Sequence, residues 1–240
     1  MKNKDQPSSM FDSILKWAIL LRRVIYWELK LELRSAGSLI SLLGYVATLA
    51  VLFHYSLMPM VFAEAQNLTG LLLLSLFFMV SMISARGMNR ERESGAFRVL
   101  LLSGMDRSAL LLGRSFVKAS VIVLMLFVYS ILYNMLLVGR PDFFYFTWLT
   151  TLFLIPCSLN LVLLGEIISV LSSANRLSEI VLPLLFFPLS LPIFIVYSGS
   201  AAVINGKADV SNYLMILIAL IILYAGIGAL FFQMMATDEV

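Results

Sequence analysis

The chain has 240 residues, 61% of them hydrophobic and 13% charged, with a formal net charge of +3. Soluble domains are usually about 45–50% apolar and about 25% charged, so a surface turned mainly to water is excluded and lipid is the expected solvent. Nucleic acid is not an expected partner, because the basic residues flank apolar stretches instead of gathering in one patch.

The first 35 residues alternate charge with hydrophobicity, and Lys16, Arg22 and Arg23 interrupt any apolar region of a cleavable signal peptide. Ser8, Ser9 or Asp12 can cap a helix here. At 100° per residue, Lys16, Arg23, Lys30 and Arg34 form one stripe. Trp17, Leu20, Val24, Trp27 and Leu31 form an adjoining apolar one. The pattern predicts an interfacial helix over 8–35, with its cations reaching toward the headgroups. Glu28 and Glu32 on this helix are candidates for contact with a partner, and a simple topology anchor accounts for the basic residues equally well.

Six later segments are long and apolar enough to cross a bilayer, which takes roughly 20 residues of helix. They are 39–58, 68–85, 119–139, 143–171, 180–198 and 213–236. The predicted fold is therefore all-α, a polytopic membrane protein in one domain over 1–240. Segment 1–38 holds seven Lys and Arg, the connection 86–118 holds seven, and 172–179 holds Arg176. The loops of the other side hold only Arg140 and Lys207. The positive-inside rule then puts both termini, and the charged connection, in the cytoplasm.

Several kinds of chemistry lack their residues. No GxxxxGKS/T phosphate loop occurs, so ATP is not expected to bind here by that route. HExxH and GxSxG are absent too, and no serine or cysteine has a histidine placed to activate it. The single cysteine, Cys157, allows no internal disulfide, and the single histidine, His54, no multi-histidine metal site. The chain is expected to be non-catalytic, with no cofactor or metal of its own. Glu166 lies inside the fourth span, where a charge at a bilayer centre costs about 2.5–3.5 kcal/mol. It reads either as a substrate or proton site, or as a carboxyl that is protonated or paired with a helix-end group near Arg176.

In the fifth segment, "VLPLLFFPLSLPIFIVYSGSAA" brings Pro183, Pro188 and Pro192 about once per turn. Each removes a backbone donor and crowds the carbonyl four residues back. This predicts a broken helix, with a re-entrant hairpin between spans five and six; plain kinking of one span is the alternative.

The stretch from 86 to 114 reads as two short amphipathic helices. Glu91 and Glu93 suit a helix start, and Phe97, Leu100 and Leu101 share a face. Gly104 can close the turn, and Asp106 or Ser108 can cap the next helix, which runs through Arg114 and Lys118 into the third span. Such an element can transmit a push from a cytoplasmic partner, or it can be a solvated connector made basic for topology. Physical reasoning on these residues leaves both open.

"RERESGAFRVLLLSGMDRSALLLGR" at 90–114 resembles the connection between spans two and three of the CcmB family. "LKLELRS" at 29–35 is similar to that family's amino-terminal element, and "PLSLP" at 188–192 to its fifth-span element. Gly104 and Met105 depart from it, standing where the family has a proline-containing pair. The resemblance implies a permease subunit with the ABC-2-type membrane fold, from the ATP-driven haem exporter of cytochrome c maturation, in the bacterial inner membrane. ATP and magnesium would then be bound by a separate CcmA-like ATPase, with CcmC-like and CcmD-like proteins as further partners. Haem would be a candidate cargo, and a second copy of the chain a candidate other half. Glu91, Arg92, Glu93, Gly95, Phe97, Arg98, Asp106 and Arg107 would form the coupling region, and Glu28, Glu32 and Arg34 the amino-terminal element. An ABC-2 permease for a lipid, polysaccharide or drug is the alternative reading.

Overall fold

In water, most of the leucines, isoleucines and phenylalanines in these segments would have to turn inward; here many do not. Leu184, Ile195, Met215, Ile222 and Leu230 are each more than 60% exposed. The computed structural model describes residues 10–34, 36–56, 65–94, 106–137, 143–173, 178–204, 206 and 209–234. Among these residues it is all-helical, with no strand. Seven helices are described: α1 Met10–Arg34, α2 Ala36–Ser56, α3 Ala65–Ser94, α4 Arg107–Leu137, α5 Phe143–Ser173, α6 Ser178–Ile204 and α7 Val210–Met234.

Three stretches of described helix are long and apolar enough to cross a membrane: Ser108–Tyr129, Thr151–Ser169 and Val210–Phe231. Thr69–Ser84 and Leu184–Ser200 are shorter apolar helices. α1 and α2 are bent by 71° to one another.

α5 is the centre of the bundle and packs against α3, α4, α6 and α7. Lipid is as apolar as leucine, so helices associate here through close packing and interhelical polar links. Phe77 of α3 stacks on Phe186 of α6 at 5.0 Å and meets Phe194 edge-on at 5.4 Å. Ser84 of α3 lies directly against Gly165 of α5, where a β-carbon would collide with its hydroxyl. Asn160 of α5 donates to the Leu217 carbonyl of α7 at 3.0 Å, and Tyr224 of α7 donates to the Leu189 carbonyl of α6 at 3.0 Å.

Three expectations change. First, α6 runs unbroken from Ser178 to Ile204 through all three prolines, in place of the broken helix and re-entrant hairpin. Proline is tolerated more readily in membrane helices than in soluble ones, and Pro188 and Pro192 lie on the exposed side, where their rings displace no neighbouring helix. The chain then turns at Gly206, whose φ of 70° suits only glycine, its N–H donating to the Val203 carbonyl at 2.9 Å.

Second, the third apolar segment begins at the start of α4 and not at residue 119, so Arg114 and Lys118 lie inside it. Third, residues 86–94 form no separate amphipathic helix but continue α3. Glu91 and Glu93 therefore sit in the last described turn of α3, not at a helix start. The predicted ends at 58, 139 and 236 lie outside the described residues.

Candidate functional site

α4 begins where the charged connection ends, and its first turn is tightly specified. The Asp106 carboxylate accepts from the Ser108 N–H at 3.0 Å and from the Ser108 hydroxyl at 2.7 Å. The Asp106 carbonyl takes the first intrahelical bond, from the Leu110 N–H at 3.1 Å. That is an N-cap, which satisfies donors the helix start would otherwise leave orphaned. The Ser108 hydroxyl also accepts from the Trp17 indole N–H of α1 at 3.0 Å. The cap is thus joined to the first helix of the chain.

α1 lies along this end of α4 in an intimate contact. Its apolar stripe does not face lipid. Val24 is buried, and Trp17, Leu20 and Leu31 are half-buried against the protein. A β-carbon on Gly113 would stand 2.6 Å from Val24 Cγ1, so only glycine lets the two backbones come this close. Trp27 alone of that stripe is exposed. A second apolar face points away, made by Leu15, Ile19, Tyr26, Leu29 and Leu33, with the basic stripe along its edge. The 3.6 periodicity found one apolar stripe, but the helix has two.

Four charges lie beside this contact, Arg114 and Glu166 buried and Glu28 and Lys118 half-buried. Arg114 Nε lies 3.0 Å from Glu28 Oε1 of α1. One turn further along α4, the Lys118 ammonium donates to Glu166 Oε1 of α5. The two acids and two bases balance, and the cations act on both carboxylates. Burial pushes the Glu28 carboxyl above its ordinary range, against the opposing pull of Arg114 and then of Lys118. All four side chains are nearly out of solvent, with Arg114 and Glu166 each 6% exposed. At low dielectric such charges are tolerable only when paired.

The remaining candidates are placed as follows. Glu166 is paired with Lys118, not with a group near Arg176. Glu28 faces inward to Arg114, Glu32 is half-buried and Arg34 is exposed. Asp106 is the α4 cap and Arg107 the first residue of that helix. Glu91, Arg92 and Glu93 belong to the end of α3. Gly95, Phe97 and Arg98, with the Gly104 turn, lie outside the described residues. Among the described residues no group of three His, Cys, Asp or Glu is placed to hold a metal ion.

Arg114, Lys118, Trp17 and Gly113 are what residue-by-residue reading missed. Part of their signal was present: two cations four residues apart inside an apolar helix need anions, and Glu166 is an acid in an equally apolar segment.

The sequence model of one family, described as CcmB protein, matches residues 19–236. The chain belongs to the CcmB family. The matched region runs from Ile19 in α1 to beyond the end of α7, so it includes the Asp106 cap and all four charges. No protein with a curated description matches the chain. Membership in CcmB makes this a membrane permease component of the haem exporter in cytochrome c maturation. The apolar helices accord with that membrane role.

Proposed function

We propose that this CcmB chain forms one membrane domain that is moved by ATP hydrolysis in a separate subunit. α2 to α7 would be its six spans, with α1 along the cytoplasmic surface, both termini in the cytoplasm and the inner membrane as its location. A CcmA-like ATPase would seat against the connection from 86 to 106, with Glu91, Arg92, Glu93, Gly95, Phe97, Arg98 and Arg107 at the contact. CcmC-like and CcmD-like proteins would complete the assembly, and a second copy of the chain could supply the other half. The load is haem itself or the release of a haem-loaded chaperone.

The observation that carries this reading is the way the connection joins the bundle. α3 continues to Ser94 and α4 starts at once after Asp106, so both flanking helices enter the core without a flexible break. A displacement of the connection therefore moves helices that touch α5 directly. Membership in the CcmB family supplies the haem-maturation context, and the lack of a phosphate loop in this sequence supplies the need for an outside ATPase.

The test is purification of the assembly from native membranes, with wild type and Glu93→Arg compared. Wild type should bring down an ATPase subunit. Glu93→Arg should lower its recovery, or leave ATP hydrolysis running without cytochrome c assembly. An intact complex with normal coupling in the variant would remove the connection from the contact.

A further inference from the structure

The four charges are not explained by holding the bundle together. Replacing a buried ion pair with well-packed apolar side chains is often neutral or stabilising, and lipid favours the apolar choice still more. What charges add is register. Apolar surfaces slide past one another at little cost, whereas sliding separates ion pairs in a medium that cannot resolvate them.

Placement decides what is held in register. Arg114 and Lys118 are four residues apart, so they occupy one side of α4. Glu28 reaches Arg114 from α1, and Glu166 reaches Lys118 from α5. The helix between them is the one that leaves the 86–106 connection, and its cap already holds Trp17 through Ser108. Val24 seated on Gly113 fixes α1 laterally at the same level. Three helices distant in sequence are therefore tied within the first turns of α4.

We propose that Glu28, Arg114, Lys118 and Glu166 form a register clamp that makes α1, α4 and α5 move as one body when the connection is displaced. The four are positioning residues, and none needs to meet the cargo. This deepens the coupling reading and rests on it. Two consequences follow. α1 stays docked on α4 throughout the cycle, and loss of the clamp uncouples the complex without dismantling it.

The first consequence is tested by a reversible lock. Val24→Cys with Gly113→Cys places two thiols where the β-carbons lie 3.1 Å apart, a small relaxation from the usual disulfide spacing of about 3.8 Å. Replacing Val24 also removes the methyl that a side chain at 113 would strike. Cys157 is buried and is changed to serine in the test background. Oxidised and reduced forms should assemble c-type cytochromes equally. Loss on oxidation that returns with reductant would mean α1 must undock, and would overturn the clamp.

The second consequence uses a charge exchange in the whole complex. Glu28→Arg and Arg114→Glu, each alone, should lower both the yield of the 24–113 disulfide and the cytochrome assembled per ATP hydrolysed. The second drop should be at least about fivefold, the lower range of typical coupling effects. The pair together should restore both. Lys118→Met with Glu166→Leu, an apolar pair, should insert and remain stable yet still lose coupling. Normal coupling in that pair, or in either single variant with lowered disulfide yield, would overturn the clamp while leaving the ATPase reading intact. Absence of any ATPase from the wild-type preparation would instead overturn the coupling reading, and the clamp's role with it.

Discussion

α5 and α7 are both long apolar helices, yet they stand at opposite extremes of burial. Of the α5 stretch Thr151–Ser169, 72% is buried, against 17% of the α7 stretch Val210–Phe231, although the α7 stretch is the more apolar. In water the order would be reversed. In lipid an aliphatic side chain gains little by turning inward, while an amide or carboxylate avoids a large cost. α5 accordingly buries Asn160 and Glu166, and α7 presents Ile218, Ile222 and Leu223 outward. The difference teaches that polarity, not greasiness, marks the interior of this protein.

The strongest way to break that contrast is to strand a charge. Glu166→Leu leaves the Lys118 ammonium without its carboxylate and should cost about 3–5 kcal/mol, read as a fall in the melting temperature of the purified protein. Adding Lys118→Met should recover most of the loss. Ile222→Ala on α7 truncates a side chain that is 68% exposed. It should stay within about 0.5 kcal/mol of wild type. Comparable losses in Glu166→Leu and Ile222→Ala would mean that the two helices are not differently embedded.

How much of this was legible in the sequence depends on the element. Six helical segments could be read from apolar length, because a span must satisfy its own backbone and has few alternatives to a helix, and α1 from its amphipathic stripes. The family could be read from the 90–114 stretch, and the α4 cap from Asp106 and Ser108. The partners of Glu28 and Glu166 could not. Pairing between α1, α4 and α5 depends on which faces meet, and one chain read by periodicity does not state that. Treating Arg114 and Lys118 as topology signals also hid them, since a cation beside a span satisfies the positive-inside rule whether it meets water or an acid. The prolines misled for a related reason. A run of prolines does not state whether the helix breaks or stays continuous, and α6 stays continuous through all three.

Packing sharpens the contrast with a smaller effect. Gly165→Leu on α5 drives its side chain into Ser84 of α3, and overpacking of this kind costs about 1–3 kcal/mol. Gly226→Leu on α7 meets nothing within 4 Å and should be neutral or slightly stabilising, since leucine is the better helix former. Below that comes Asn160→Leu, which deletes the bond to the Leu217 carbonyl. Hydrogen bonds between membrane helices average about 0.6 kcal/mol, so the melting temperature should move only slightly.

The smallest effect is a pH dependence at the edge of the charged cluster, where α1 meets α4. Burial raises the Glu28 carboxyl above its usual 4.5, with Glu166 and Glu32 adding to the rise and Arg114 and Lys118 opposing it. The native state then holds a proton that the unfolded chain has released, so stability falls as pH increases. The contribution is fully present below 4.5 and is lost as pH climbs through the raised native value. Glu28→Gln, which cannot ionise, should lack this component. The difference in melting temperature between wild type and Glu28→Gln should therefore shift in favour of the variant as pH rises above 4.5. Ile222→Ala, on a helix that carries no carboxylate, should keep the wild-type profile unchanged. A Glu28→Gln profile parallel to wild type throughout would mean that Glu28 titrates as it does in water. The polar interior would then stop at α4 and α5, and α1 would belong with α7 among the helices held by lipid.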